Sequence, residues 1–113
     1  MDYEATVFVN GKEITKHTGG YQRFSVDITD VLKGGDNELS VKVYDPSDLG
    51  PNPHGKQVLN PEGIMYTPSS GIWQTVWLEV VPQSYIASLR FTPDIDKQEI
   101  RVGVNVANNS TFP

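Results

Sequence analysis

An antiparallel β-sandwich, all-β and free of long helices, is predicted by three features of the 113-residue sequence. Apolar and polar residues alternate with a period of two along most of the chain, as strands with one inward face require. An Asn-Gly pair stands between two of these runs at Asn10-Gly11. Glycine, proline and asparagine mark the breaks between the others.

The elements follow in order. Tyr3-Glu4-Ala5-Thr6-Val7-Phe8-Val9 reads as a strand, and Lys12-Glu13-Ile14-Thr15-Lys16 as its return. A type I′ turn needs positive φ at both central residues, which Asn-Gly supplies, so a hairpin is predicted over 4–16. After Gly19-Gly20, Phe24-Ser25-Val26-Asp27-Ile28 alternates as a further strand. Thr29–Lys33 predicts one helical turn, capped by Thr29 or Asp30 and ended by Gly34-Gly35. Glu38–Tyr44 sets Leu39, Val41 and Val43 against Ser40 and Lys42, and Thr75–Val81 sets Val76, Leu78 and Val80 against Thr75, Trp77 and Glu79. A boundary near Pro82-Gln83-Ser84 precedes a final strand pair. Its inward faces are predicted to be Ala87, Leu89 and Phe91, then Ile100, Val102, Val104 and Val106, with a polar turn over Asp94–Gln98 between them.

Composition narrows the function. The chain has room for one small core, and a catalytic (β/α) barrel takes roughly 250 residues. With no cysteine, disulfides, thiolate nucleophiles and thiolate metal sites are excluded. Fourteen acidic against nine basic residues argue against binding a phosphate backbone, so nucleic acid is not an expected partner. No apolar run approaches the ~18 residues of a membrane helix, and no signal peptide opens the chain. Two histidines, 37 residues apart, do not make a metal site. No cofactor or metal is expected, and the compartment stays open. A strand that starts directly after Met1 predicts an internal piece of a larger protein.

Between Asp45 and Trp73 the alternation stops, and residues 45–72 hold five of the eight prolines and four of the ten glycines. A stretch this long inside a compact domain is expected to be functional, here a stiff binding loop. Ile64, Met65, Tyr66, Ile72 and Trp73 are the anchors expected to pin it down. Asp45, Asp48 and Glu62 either form turns or point a carboxylate at a sugar hydroxyl or a cation. His54, Lys56 and Gln57 either read hydroxyl groups or decorate a solvated tip, with Gly55 permitting close approach of the backbone. Tyr66, Trp73 and Trp77 either stack on a sugar ring or fill the core. Asn108-Asn109-Ser110-Thr111 contains glycosylation acceptor patterns that carry no weight without evidence of secretion. No catalytic pair of acids is predicted within the chain.

Four stretches together resemble the sugar-binding domain of glycoside hydrolase family 2, which includes β-galactosidases and β-glucuronidases. Tyr3 through Lys12 is similar to its A-x-V-x-V-N-G strand and hairpin, and Gly19 through Thr29 to its G-G-Y-x-x-F-x-x-D-I-T segment. Gly35 through Val43 resembles G-x-N-x-L-x-V-x-V, and Ser70 through Glu79 resembles S-G-I-W-x-x-V-W-L-E, the most diagnostic of the four. The resemblance covers about residues 3–82, with one ordering and spacing.

What the resemblance implies is a galactose-binding-domain-like jelly roll over 1–83, truncated at its N-terminus, and the first strands of an immunoglobulin-like domain over 84–113. The catalytic glutamates of the family lie in a barrel outside this chain, so the implied role is non-catalytic, in a parent that hydrolyses β-glycosidic bonds. Self-standing carbohydrate-binding and purely structural spacing are the alternatives. The implied accessory substrate contacts are Asp48, with His54, Lys56, Gln57, Tyr66 and Trp73 beside it. Carbohydrate is the expected partner, bound weakly or only with the barrel. Strands missing before Tyr3 would leave a sheet edge open, from which a homodimer or strand-exchanged oligomer through the N-terminal strand or the 85–113 segment is expected.

Overall fold

The computed structural model describes residues 2–108 and divides into two compact units, one up to Thr75 and one from Val76. Both are all-β with antiparallel pairing, as the alternation predicts.

The first unit is a three-stranded sheet of β1 (Glu4–Val9), β2 (Lys12–Thr18) and β3 (Leu39–Tyr44), in the order β2-β1-β3. Its core lies on the central strand. Ala5, Val7 and Val9 are buried, and across from them stand Val43, Val41 and Leu39 on β3. Burying a valine side chain contributes about 1.5–3 kcal/mol, so β1 supplies the largest apolar share of this sheet. The hairpin forms as its turn chemistry demands, with Asn10 at φ 52 and Gly11 at φ 80. A bulge between Val7 and Phe8 in the pairing with β2 leaves Ile14 without an opposite residue.

Asn10 does more than turn the chain. Its amide nitrogen donates to the Val31 carbonyl at 3.0 Å and to Asn37 Oδ1 at 2.8 Å, and its Oδ1 accepts from the Glu38 backbone N–H at 3.1 Å. The hairpin tip is thereby tied to the 3-10 turn at Thr29–Val31 and to the entry of β3. That turn stands where expected, but neither Thr29 nor Asp30 caps it. Asp27 Oδ1 accepts from both the backbone N–H (2.9 Å) and the hydroxyl (2.6 Å) of Thr29, which puts the stabilising carboxylate two residues earlier.

Phe24–Ile28 is not a strand. No neighbouring strand lies beside it among the described residues, and Phe24 instead stacks on His17 of β2 with ring centroids 4.3 Å apart and planes at 13°. Alternation without a ladder does not make a strand.

The second unit is a hairpin of β4 (Ser84–Asp94) and β5 (Glu99–Asn108). The polar turn forms where predicted, with Gln98 at φ 54 and the Lys97 N–H donating to Asp94 Oδ1 at 3.1 Å. The register sets Leu89, Phe91 and Pro93 opposite Val104, Val102 and Ile100, and a bulge at Ala87 resets it toward Ile86 and Val106. The predicted inward residues Leu89, Phe91, Ile100, Val102, Val104 and Val106 thus share one side of the ribbon, with Ile86 in the place predicted for Ala87, yet they are exposed, because two strands alone bury little. Thr75–Val81 also has no partner strand among the described residues and leaves Val76, Trp77, Leu78 and Val80 exposed. The Asn108–Thr111 acceptor pattern runs outside the described residues.

Candidate functional site

The long loop leaves β3 through a compact polar knot. Asp45 Oδ1 accepts from the Ser47 N–H at 2.7 Å, which fixes Ser47 at φ 53, and the Leu49 N–H donates to the Pro46 carbonyl. The buried Asn52 amide donates to the Ser47 carbonyl at 3.1 Å. Gly50 fits only because it has no side chain: a Cβ there would lie 2.5 Å from Pro46 Cγ and 2.7 Å from Asn52 Oδ1.

Beyond the knot the chain clasps itself. The Tyr66 N–H donates to the Lys56 carbonyl at 2.8 Å and the Val58 N–H to the Tyr66 carbonyl at 3.0 Å, a short parallel bridge between Gln57 and Tyr66. Gln57 Oε1 then accepts from both the backbone N–H (2.7 Å) and the hydroxyl (3.2 Å) of Ser69. Ser70 closes the loop by donating to Asp45 Oδ2 at 2.6 Å. The expected apolar anchors are not buried: Ile64, Met65, Tyr66, Ile72 and Trp73 are all exposed. Polar side chains contribute most of the hold: Asp45 and Gln57 accept from backbone N–H groups and Asn52 donates to a backbone carbonyl, satisfying groups that no ladder reaches.

Two open depressions result. One, of about 380 Å³, is lined by His54, Lys56, Gln57 and Tyr66, together with Asp2 and Tyr21. The other, of about 320 Å³, includes Ile72, Trp73 and Ser70, and shares Asp2, Tyr21, Gln57 and Ser69 with the first. Five of the six predicted contacts therefore line one connected surface. Asp48 is the sixth and lines neither depression; its Oδ1 accepts from the Leu59 N–H at 3.1 Å.

The side chains differ in what they leave free. Trp73 donates its indole N–H to the Gly20 carbonyl at 2.9 Å and meets Tyr21 edge-on, with centroids 5.9 Å apart, while 53% of its surface stays exposed. His54 Nδ1 is buried without a hydrogen-bond partner. Lys56 Nζ lies 6.0 Å from the Tyr66 ring centroid. Gly55 stands at φ +60 in the turn, with open space where a Cβ would be. Asp2 and Tyr21 escape a reading confined to the loop. Tyr21 stands within the Gly-Gly-Tyr segment, whereas nothing in the sequence marks Asp2. Burial first, and then the negative charge of Asp45, raise the Asp2 carboxyl above the ordinary carboxylate range.

Among the described residues, no group of three or more His, Cys, Asp or Glu is arranged to hold a metal ion, and no helix is long and apolar enough to cross a membrane.

Comparison with known proteins gives this surface a context. The family described as "Glycosyl hydrolase 2 galactose-binding domain-like" matches residues 1–74. A protein of Formosa agariphila provisionally named a beta-glucuronidase is 30% identical over 120 residues, which cover 99% of this chain and 13% of that protein. A beta-galactosidase of Thermoanaerobacter pseudethanolicus is 33% identical over 92 residues, covering 80% of this chain and 12% of its own length. The beta-glucuronidase of Sus scrofa is 29% identical over 112 residues, covering 84% and 17%. The chain thus spans less than a fifth of the length of each of these relatives. Through the galactose-binding-like domain of residues 1–74, the chain belongs to glycoside hydrolase family 2.

Proposed function

We propose that this chain is a non-catalytic, sugar-binding accessory domain of a β-glycosidase, in which the loop of residues 45–72 shapes the carbohydrate site. The observation that carries this reading is the connected surface on which His54, Lys56, Gln57, Tyr66 and Trp73 meet beside Tyr21. Exposed aromatic faces beside hydrogen-bonding side chains suit a sugar, whose rings have apolar faces and polar rims. In this reading residues 1–83 form the sugar-binding domain and 84–113 begin an immunoglobulin-like one. Asp48 acts indirectly, by holding Leu59.

The test is an amide NMR titration with galactose, glucuronate and mannose. Shifts confined to 53–57 and 66–73 are expected. Their absence with all three sugars overturns independent sugar binding and leaves a site that needs further protein to complete it. Trp73→Ala and Tyr66→Ala separate a self-standing module, in which either change abolishes binding, from a shared site. Self-association through unpaired sheet edges belongs to the same proposal; the N-terminal strand β1, expected to offer one, is paired on both sides, so the edges are those of β2 and β3 and of the β4–β5 ribbon. A monomeric mass by light scattering at tens of micromolar refutes that part.

A further inference from the structure

Asn10 and Gly11 form the only Asn-Gly pair in the sequence, and the pair is reactive as well as structurally useful. Asparagine is a thermolabile residue. Its Cγ is open to attack by the backbone nitrogen of the next residue, and a glycine there leaves that nitrogen unshielded by any side chain. In this reaction the Gly11 nitrogen gives up its proton and bonds to Asn10 Cγ. The Cγ–Nδ2 bond breaks, and Nδ2 leaves with that proton as ammonia. Water then opens the cyclic imide at one of its two carbonyls, giving aspartate or isoaspartate at position 10. Water is the only co-reactant.

The two reacting groups stand in opposite states. The Gly11 N–H donates to no group among the described residues, and open space lies where a Cβ would stand. The Asn10 amide, by contrast, is held at both polar atoms. Its two Nδ2 hydrogens go to the Val31 carbonyl and to Asn37 Oδ1, and its Oδ1 takes the Glu38 N–H. Asn37 is itself pinned: its Oδ1 also accepts from the Lys33 N–H at 2.9 Å, and its amide donates to the Lys33 and Gly35 carbonyls at 3.0 Å. To present Cγ to the Gly11 nitrogen, the Asn10 amide must rotate out of this cradle and give up its three bonds together. Reaction therefore waits on a local opening of the hairpin tip.

The product cannot return to the cradle. A carboxylate oxygen replaces the donor Nδ2 and faces the Val31 carbonyl and Asn37 Oδ1, acceptor against acceptor. Isoaspartate also inserts a methylene into the backbone, against the two-residue turn that sets Val9 opposite Lys12.

We propose that Asn10-Gly11 is a spontaneous modification site gated by the fold: the closed hairpin tip protects the amide, each opening exposes it, and conversion to aspartate or isoaspartate leaves the tip unable to close. Removing one of the three ties is expected to speed conversion roughly three- to tenfold, the population shift that one net hydrogen bond carries.

The experiment follows conversion in the 113-residue chain at mildly alkaline pH, by mass spectrometry of the proteolytic peptide that contains Asn10. Wild type, Asn37→Ala and Asn37→Asp are compared, each folded and each unfolded in urea. The expected result is fast conversion of all three in urea. When folded, wild type and Asn37→Asp, which keeps the acceptor for Asn10, convert slowly, and Asn37→Ala shows the stated acceleration. Amide NMR dispersion shows whether the variants fold. Should either fail to, wild type in urea below its unfolding midpoint replaces it, with conversion expected to rise in step with exchange of the Asn10 amide; a flat rate there overturns the gate. Folded wild type converting as fast as the unfolded chain also overturns it. Equal rates in folded wild type and Asn37→Ala overturn the role of the ties. Asn37→Asp accelerating as much as Asn37→Ala assigns the effect to the Lys33–Gly35 turn and overturns that role as well. Converted protein whose Val31 and Glu38 amide signals match wild type overturns the loss of closure.

Discussion

Asn10 offers the sharpest test of how the first unit is held, because two separable physical effects meet in one side chain. Its amide makes three hydrogen bonds to residues 21 to 28 positions away, at 2.8 to 3.1 Å, and its backbone sits at φ 52. Asn10→Gly keeps the turn geometry and removes the three bonds. At about 0.5–1 kcal/mol for each partly exposed bond, the loss is roughly 1.5–3 kcal/mol. Asn10→Ala removes the same bonds and also places a methyl-bearing residue in the left-handed region, which adds about 1 kcal/mol. The two variants are therefore expected to rank wild type, glycine, alanine, with a gap of about 1 kcal/mol between the last two. Urea unfolding followed through the Val7 and Val9 amide signals reports the sheet without interference from the second unit. A cost below about 0.5 kcal/mol for Asn10→Gly refutes the importance of the side-chain ties. An alanine variant as stable as the glycine one refutes the conformational argument.

Other outcomes follow from the loop and from the acids. Gly50→Ala forces a methyl against Pro46 and Asn52 and should cost about 1–3 kcal/mol by overpacking, read as a lowered urea midpoint. Ser70→Ala removes the hydroxyl that closes the loop onto Asp45, and should speed hydrogen exchange at the 56–58 and 65–66 amides while leaving β1 protected. Asp27 is held below the ordinary carboxylate range by the Thr29 hydroxyl and then by the Thr29 backbone N–H, so its stabilisation is present above that range and is lost as the pH falls through its lowered value. Thr29→Val should bring the Asp27 carboxyl titration back toward the ordinary range. Asp2 has the opposite sign: its raised value means that stability falls as the pH rises from the ordinary range to the raised value, and Asp2→Asn should abolish that slope.

Local chemistry was readable from the chain wherever the deciding interaction was also local. Asn10-Gly11 specifies its own turn, the period-two runs of β1, β3, β4 and β5 specify strands, and the Asp94–Gln98 turn is written in its polar residues. Phe24–Ile28 and Thr75–Val81 carry the same alternation without becoming strands. Alternation reports which side of a segment is apolar, but a strand also needs a neighbour to take its backbone hydrogen bonds. The loop shows the converse. Its expected apolar anchors are exposed, while the groups that hold it, Asp45 with Ser70 and Gln57 with Ser69, pair across 25 and 12 residues with no periodic signature. The residues that line the depressions were partly visible as a polar and aromatic cluster. Asp2 was not, because its place depends on the Asp2–Gly71 bridge beside the loop's end.

The clasp between Gln57 and Tyr66 also separates the length of the loop from its shape. Both backbone bonds that define it lie at Lys56, Val58 and Tyr66, so the segment between Leu59 and Ile64 is an excursion whose two ends are already fixed. Residues could be added to or removed from that excursion without moving His54, Lys56 or Tyr66. Natural variation in loop size can therefore accumulate there under little constraint. The same exposed tip is where a fluorophore or affinity handle could be attached to follow binding while leaving the ligand-facing wall undisturbed.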